Sequence, residues 1–342
     1  MKKIIFLLLS AFFFYSCNTG EIITNQNPVV GSSGVYLLSE GSMSPGSAKL
    51  SYYNFIKDTL YQNIFKPGSL GLFPDGMISY GSDIFITEQG NYNSAGKLYK
   101  LDTAGNVLTS VPVGTNPYSL CVSNGKIYIT NGPAGNVSVL NASTLGFIKN
   151  ISVGVYPQEI IALNGRIFVC NTSVYGGNQD STISVIDASK DSVIHVIVLG
   201  KDPFSIAVSN DNNIIAGCLG TEGKLYKIDP TTFNITDTMS NPWGFGKDIS
   251  VDLQTNDIYF ISSSNHIVKS NFQSRSNVVA IYNSEPASSF FYGYLFDSVN
   301  RRHYVADARN FSVSGLMKIY NINSILLNTF STGIAPRRPL LR

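Results

Sequence analysis

The sequence predicts an all-β chain folded as a single β-propeller of seven four-stranded blades, closed by strands from its two ends. Three observations carry that prediction. An apolar-Gly-x-x-Pro opening recurs at Val113-Gly114-Thr115-Asn116-Pro117, Val153-Gly154-Val155-Tyr156-Pro157 and Leu199-Gly200-Lys201-Asp202-Pro203. Its copies start at 113, 153 and 199, 40 and then 46 residues apart, which is the length of a four-stranded blade. Within each copy, short apolar runs alternate with turn residues, and long helical periodicity is absent. Charged residues make up only 13% of the chain, while Asn, Ser, Gly, Thr and Tyr abound, a composition suited to short strands and tight turns.

The chain begins with a basic pair, Lys2 and Lys3, followed by Ile4 to Tyr15, apolar apart from Ser10. That run is shorter than the ~20 apolar residues that span a bilayer and fits the core of a secretory signal. Small Ser16 then precedes Cys17, and the chain turns polar at Asn18. The arrangement resembles a bacterial lipoprotein signal, which implies removal of residues 1–16 and lipidation of Cys17. Residues 17–33, rich in Asn, Gly, Ser and Thr, read as a flexible tether, and 34–342 as the propeller.

The repeats follow in order. Val35 to Phe65 supplies about three strands, and full units run over 66–111, 113–151, 153–197, 199–239, 241–282 and 284–330. Inside a unit, Asn124-Gly125 and Asn164-Gly165 separate apolar runs. This is the strongest short hairpin signal, because both residues tolerate positive φ. Third strands such as Val137-Ser138-Val139-Leu140 and Ile183-Ser184-Val185-Ile186 end in Asn141 and Asp187, which begin the next turn. A tail strand from Ile334 onward would complete the first blade and give seven. The basic residues Arg337, Arg338 and Arg342 make this tail less strand-like, which leaves six and eight blades open. After Cys17, three cysteines remain: Cys121, Cys170 and Cys218. They read as buried free thiols, with a Cys170–Cys218 bridge as the alternative.

The repeat Val-Gly-x-x-Pro-x-x-Ile-x-Val followed by Asn-Gly-x-Ile-Tyr-Ile-x-Asn resembles the YVTN-type propeller repeat of secreted bacterial proteins, over nearly all of residues 66–282. Gly34-Val35-Tyr36-Leu37-Leu38-Ser39-Glu40-Gly41, followed by Ala48-Lys49-Leu50-Ser51-Tyr52-Tyr53, is similar to the first blade of Bacteroidota lipoprotein propellers. The best understood members of that group are surface corrinoid-capture proteins seated over a TonB-dependent transporter. The resemblance therefore implies an outer-membrane lipoprotein, on the cell surface or the periplasmic face, which meets the membrane through its lipid alone.

Propeller sites gather where the loops leading to the inner strands meet the loops between second and third strands. The first set places Phe73, Tyr118, Gln158, Phe204, Trp243 and Phe290 near the rim, an apolar mouth able to stack on a ligand. The second set adds Tyr92, Tyr175 and Arg309. Rings beside polar groups suit a sizeable polar small molecule or glycan.

Catalytic patterns are scarce. His195, His266 and His303 fall in different units, no paired-Cys or His-x-x-x-His spacing occurs, and no Gly-x-Ser-x-Gly elbow is present. Asp75, Glu159 and Asp248 near the mouth leave Ca²⁺ as a conceivable cofactor. A net charge of +2, two units of it in Lys2 and Lys3, offers no basic stripe for nucleic acid. The expected function is capture of a nutrient or cofactor of the corrinoid or glycan class for a TonB-dependent transporter. The alternatives are a Ca²⁺-assisted propeller hydrolase or lyase and a surface protein-interaction scaffold.

Overall fold

The computed structural model describes residues 34–66, 68, 70–174 and 176–342, together with the backbone of Ile22–Thr24. Residues 1–16, Cys17, most of the 17–33 span and Tyr175 lie outside the described residues.

Seven antiparallel sheets are arranged as blades. Six are built in chain order from the inner strands Pro74–Tyr80, Pro117–Ser123, Pro157–Leu163, Pro203–Val208, Lys247–Val251 and Phe291–Asp297, each followed by three strands running outward. These are blades 2 to 7. Blade 1 closes the ring: its inner strand is Pro336–Leu341, paired antiparallel with Gly34–Ser39, which continues to Lys49–Asn54 and Thr59–Gln62. Ile22–Thr24 adds a fifth strand, parallel to Thr59–Gln62. The seven-blade count and the clasp of tail to head are as the sequence predicts. The basic residues of the tail are no obstacle to a strand, because Arg337 and Arg338 meet carboxylates inside the ring.

Each blade is buried on both faces, so its second strand reads as a continuous apolar run rather than an alternating one. Ile127 and Ile129 pack toward blade 2, while Tyr128 between them packs toward blade 4. The same division repeats around the ring, giving seven apolar clusters, one at each junction between neighbouring blades. The last of these joins Tyr304 and Phe330 of blade 7 to Val35, Leu37 and Tyr53 of blade 1.

Local chemistry explains the repeat. Asn124-Gly125 and Asn164-Gly165 form two-residue hairpin turns with positive φ at both positions. The side chains of Asn141, Asp187 and Asp229 accept backbone N–H groups two residues on, from Ser143, Ser189 and Thr231. The glycine of the opening motif is a matter of space: a Cβ on Gly114 or Gly154 would come within 2.3–2.5 Å of the side chain of Asn131 or Asn171.

Candidate binding site at the channel mouth

In every blade the inner strand bulges directly after its first residue. A bulge re-aims a side chain. The residues so placed are Asp75, Tyr118, Gln158, Phe204, Asp248, Tyr292 and Arg337, one from each blade in equivalent positions. In five blades the chain reaches this point through a left-handed residue before proline: Phe73, Asn116, Tyr156, Asp202 and Ala335, with φ of 40–54°. For non-glycine residues such backbone costs about 1–2 kcal/mol each, and the seven junction clusters hold it in place.

Arg337 closes the channel. Its side chain is almost fully buried at 1% exposure and reaches four other blades. Its Nη1 donates to both oxygens of Asp248 at 2.9 and 3.0 Å, and its Nη2 to the Tyr118 hydroxyl at 3.1 Å. Its Nε lies 3.8 Å from Asp75, and its guanidinium stands over the Tyr292 ring, 5.5 Å from the centroid. Burial opposes its charge, yet Asp248, Tyr118 and Asp75 hold its pKa well above the ordinary arginine value. Arg338 donates to Asp75 at 2.9 Å and to Glu159 at 2.6 Å. Tyr118 meets Phe204 edge-on, with ring centroids 6.4 Å apart. Together these groups form a floor under the mouth.

Above it opens a pocket of about 760 Å³, lined by blades 4 and 5, the chain entering blade 4 and Tyr92 of the blade 2 loop, within the range of small-molecule sites. Tyr92, Tyr156 and Phe204 supply rings, and Gln158, Ser173, Gln179, Lys201 and Asp202 supply polar groups. One wall is the long blade 4 loop, 172–181. Thr172 donates to the Tyr156 carbonyl, Ser173 N–H to Asp202 at 2.7 Å, and Val155 N–H to Asp180 at 2.7 Å. Tyr92 is 69% exposed, a large ring left open at the edge of the pocket.

Of the predicted rim residues, Tyr92, Gln158 and Phe204 share this pocket, and Tyr118 lies in the floor. Phe73 stands two residues before the ring position of blade 2 and is half-buried. Trp243 stands five residues before that of blade 6, 38% exposed, with His266 edge-on at 6.2 Å. Phe290 packs beside Phe311 and Tyr292 on the blade 7 side, 5.4 and 6.3 Å away. Arg309 is exposed, and its backbone N–H donates to Asp307.

Sequence reasoning missed Tyr156, Lys201, Tyr292 and the two channel arginines. A signal for Arg337 was present: Gly333-Ile334-Ala335-Pro336 is another copy of the Gly-x-x-Pro opening, so the next residue falls on the ring.

Asp75, Glu159 and Asp248 do face the channel, but each is ion-paired with Arg337 or Arg338. Among the described residues, no group of three or more His, Cys, Asp or Glu side chains is placed to hold a metal ion. Cys121, Cys170 and Cys218 are free and buried, and burial pushes their thiols up, to about 12 for Cys218. No bridge joins Cys170 to Cys218.

A family model described as a domain of unknown function, DUF5074, matches residues 33–334. No curated protein matches the chain. Solved structures of similar fold include a quinonprotein alcohol dehydrogenase-like protein from Bacteroides thetaiotaomicron, 15% identical, with a TM-score of 0.69 over 92% of this chain and 79% of that one. A hypothetical selenium-binding protein from Sulfolobus tokodaii is 11% identical, with a TM-score of 0.69 over 91% of this chain and 93% of that one. The hydrazine synthase of Kuenenia stuttgartiensis is 15% identical, with a TM-score of 0.57 over 78% of this chain and 88% of that one. At such identities the likeness is one of fold.

Proposed function

Since the chain belongs to the DUF5074 family, whose description assigns no activity, its role is read from its own mouth, and we propose that it captures a polar small molecule outside the cytoplasm. The observation that carries this reading is the pocket of about 760 Å³ in which Tyr92, Tyr156 and Phe204 face Gln158, Ser173 and Lys201. Aromatic faces stack on the apolar faces of sugar rings, and amide, hydroxyl and ammonium groups meet sugar hydroxyls. A glycan therefore fits the lining best, and a corrinoid is its competitor. The closed floor supports retention at the mouth rather than passage through the ring.

In this reading the Cys17 lipid and the 17–33 tether hold the propeller at the outer membrane, and a TonB-dependent transporter receives the ligand. The sequence around Lys2, Lys3 and Cys17 supports the anchor. The Ca²⁺-assisted hydrolase is less well supported, because the three channel carboxylates are engaged by arginines. The test is a thermal-shift panel of oligosaccharides and corrinoids on the purified protein. A ligand present at 100 times its Kd stabilises the native state by about 2.7 kcal/mol, enough to raise the melting temperature by a few degrees. A shift with glycans supports the reading as stated, and a shift with corrinoids alone replaces the ligand class. Silence from both, with binding to a purified surface protein instead, would replace capture with the scaffold.

A further inference from the structure

The pocket at the mouth does not stand alone. Two smaller depressions adjoin it on the same face of the ring. On one side, a depression of about 400 Å³ lies where the 132–135 loop of blade 3 meets residues 153–156 and the blade 4 loop. It shares Tyr156 and Val174 with the pocket. On the other side, a depression of about 250 Å³ is lined by Gly200, Glu222 and Lys224, and it shares Lys201 and Leu219 with the pocket. Three adjoining depressions therefore pass round the blade 4 loop, 172–181. Each is lined by loops that lead to inner strands or join second to third strands, so all three belong to the mouth.

The side chains along this path are held in place. Tyr156 has left-handed backbone, with φ of 40°, and its carbonyl accepts the Thr172 hydroxyl. Its ring lies against Gly132 of blade 3, where a Cβ would stand 3.1 Å from the ring carbons. That ring divides the pocket from the blade 3 depression. Gln158 lines the middle of the path and is only 5% exposed. Among the described residues its side-chain amide has no hydrogen-bond partner. A buried polar group left so costs about 1–3 kcal/mol until something in the pocket satisfies it. The charges along the path are engaged or offset. Asp180 accepts the Val155 N–H and Asp202 the Ser173 N–H. Lys201 faces Asp202 at 3.9 Å, and Glu222 lines the same depression as Lys224.

We propose that the three depressions are successive subsites for one linear, uncharged oligosaccharide of at least three sugar units. Gln158 reads hydroxyls of the central unit, and Tyr156 stacks where that unit joins its neighbour. An amide offers two donors and an acceptor side by side, which matches adjacent hydroxyls. The near balance of charge selects against an anionic or cationic chain. A compact ring system would fill the central pocket alone, whereas a chain also uses the walls shared with the two neighbours. Once one unit is seated, the next binds intramolecularly, so affinity climbs with length until the subsites are full. The inference rests on the capture reading and narrows its ligand from a polar small molecule to a chain.

The test is titration calorimetry of the purified protein with linear gluco-, manno-, xylo- and galacto-oligosaccharides of one to six units, and with oligogalacturonides of the same lengths. A neutral series is expected to gain about tenfold in affinity from disaccharide to tetrasaccharide and then to level off, as one added stacked contact predicts. Ala134→Leu fills the blade 3 depression from an exposed loop position. It is expected to weaken the tetrasaccharide by about the same factor and to leave the disaccharide unchanged. Gln158→Leu is expected to weaken every length without lowering the melting temperature. Equal affinity at all lengths, an equal effect of Ala134→Leu on both lengths, unchanged affinity in Gln158→Leu, or preference for oligogalacturonides would overturn the chain proposal and leave capture standing. Silence from every saccharide would overturn it too, and corrinoid binding in the thermal-shift panel would then decide whether capture survives.

Discussion

His303 shows how one buried side chain ties this fold to pH. It is fully buried among Tyr259, Tyr294 and Phe296, with Nδ1 2.7 Å from the Tyr294 hydroxyl and Nε2 unpartnered. Burial, and then Arg301, push its pKa down to about 4. The unfolded chain takes up a proton near pH 6.5 that the folded chain refuses until pH 4. Stability is therefore lost as pH falls through that window, by about 3 kcal/mol from this residue alone. In urea unfolding, His303→Gln is expected to lose about 3 kcal/mol less than wild type between pH 6.5 and pH 4. Parallel losses in the two proteins would refute this assignment. The sequence showed three scattered histidines and no metal motif. It could not show that one of them sits in a dry aromatic cage, because Tyr259 and His303 meet only across a blade junction.

At the scale of elements, the strand Pro336–Leu341 both closes the ring and fills its centre. Arg337 is oriented by the strand's bulge and neutralised by Asp248, 89 residues away. Breaking a buried ion pair from one side leaves an uncompensated charge and costs about 3–5 kcal/mol. Arg337→Met is expected to destabilise the protein by that amount in urea titration, and adding Asp248→Asn is expected to recover most of it. A single-variant loss below ~1 kcal/mol would show that the guanidinium is not the lock described here. Most elements were legible in the sequence: Asn124-Gly125 and Asn164-Gly165 marked hairpins, and Gly-x-x-Pro marked the start of inner strands. Local chemistry dictates both signals. The ring register was not legible in blades 6 and 7, where Lys247 and Phe291 replace the proline. The rim reading consequently settled on Trp243 and Phe290, and Asp248 and Tyr292 hold the ring positions.

For the whole molecule, seven junction clusters make a ring in which the five left-handed residues that precede the inner-strand prolines all lie at one mouth. The ring delivers two different surfaces there: an aromatic and amide-lined pocket on blades 4 and 5 with Tyr92 from blade 2, and the Tyr292 cluster beside blades 6, 7 and 1. Fold class and closure followed from the repeat because every blade solves the same burial problem. The site did not follow from it, because the ring residues differ from blade to blade and their pairing is set only on closure. The most direct measurement is titration calorimetry of the best glycan from the panel against wild type and a Tyr92→Ala, Phe204→Ala double variant. Loss of two stacking rings, each worth roughly 1 kcal/mol beyond its area, predicts affinity weakened tenfold or more with the fold intact by circular dichroism. Unchanged affinity in a folded double variant would contradict the claim that this pocket is where the protein binds.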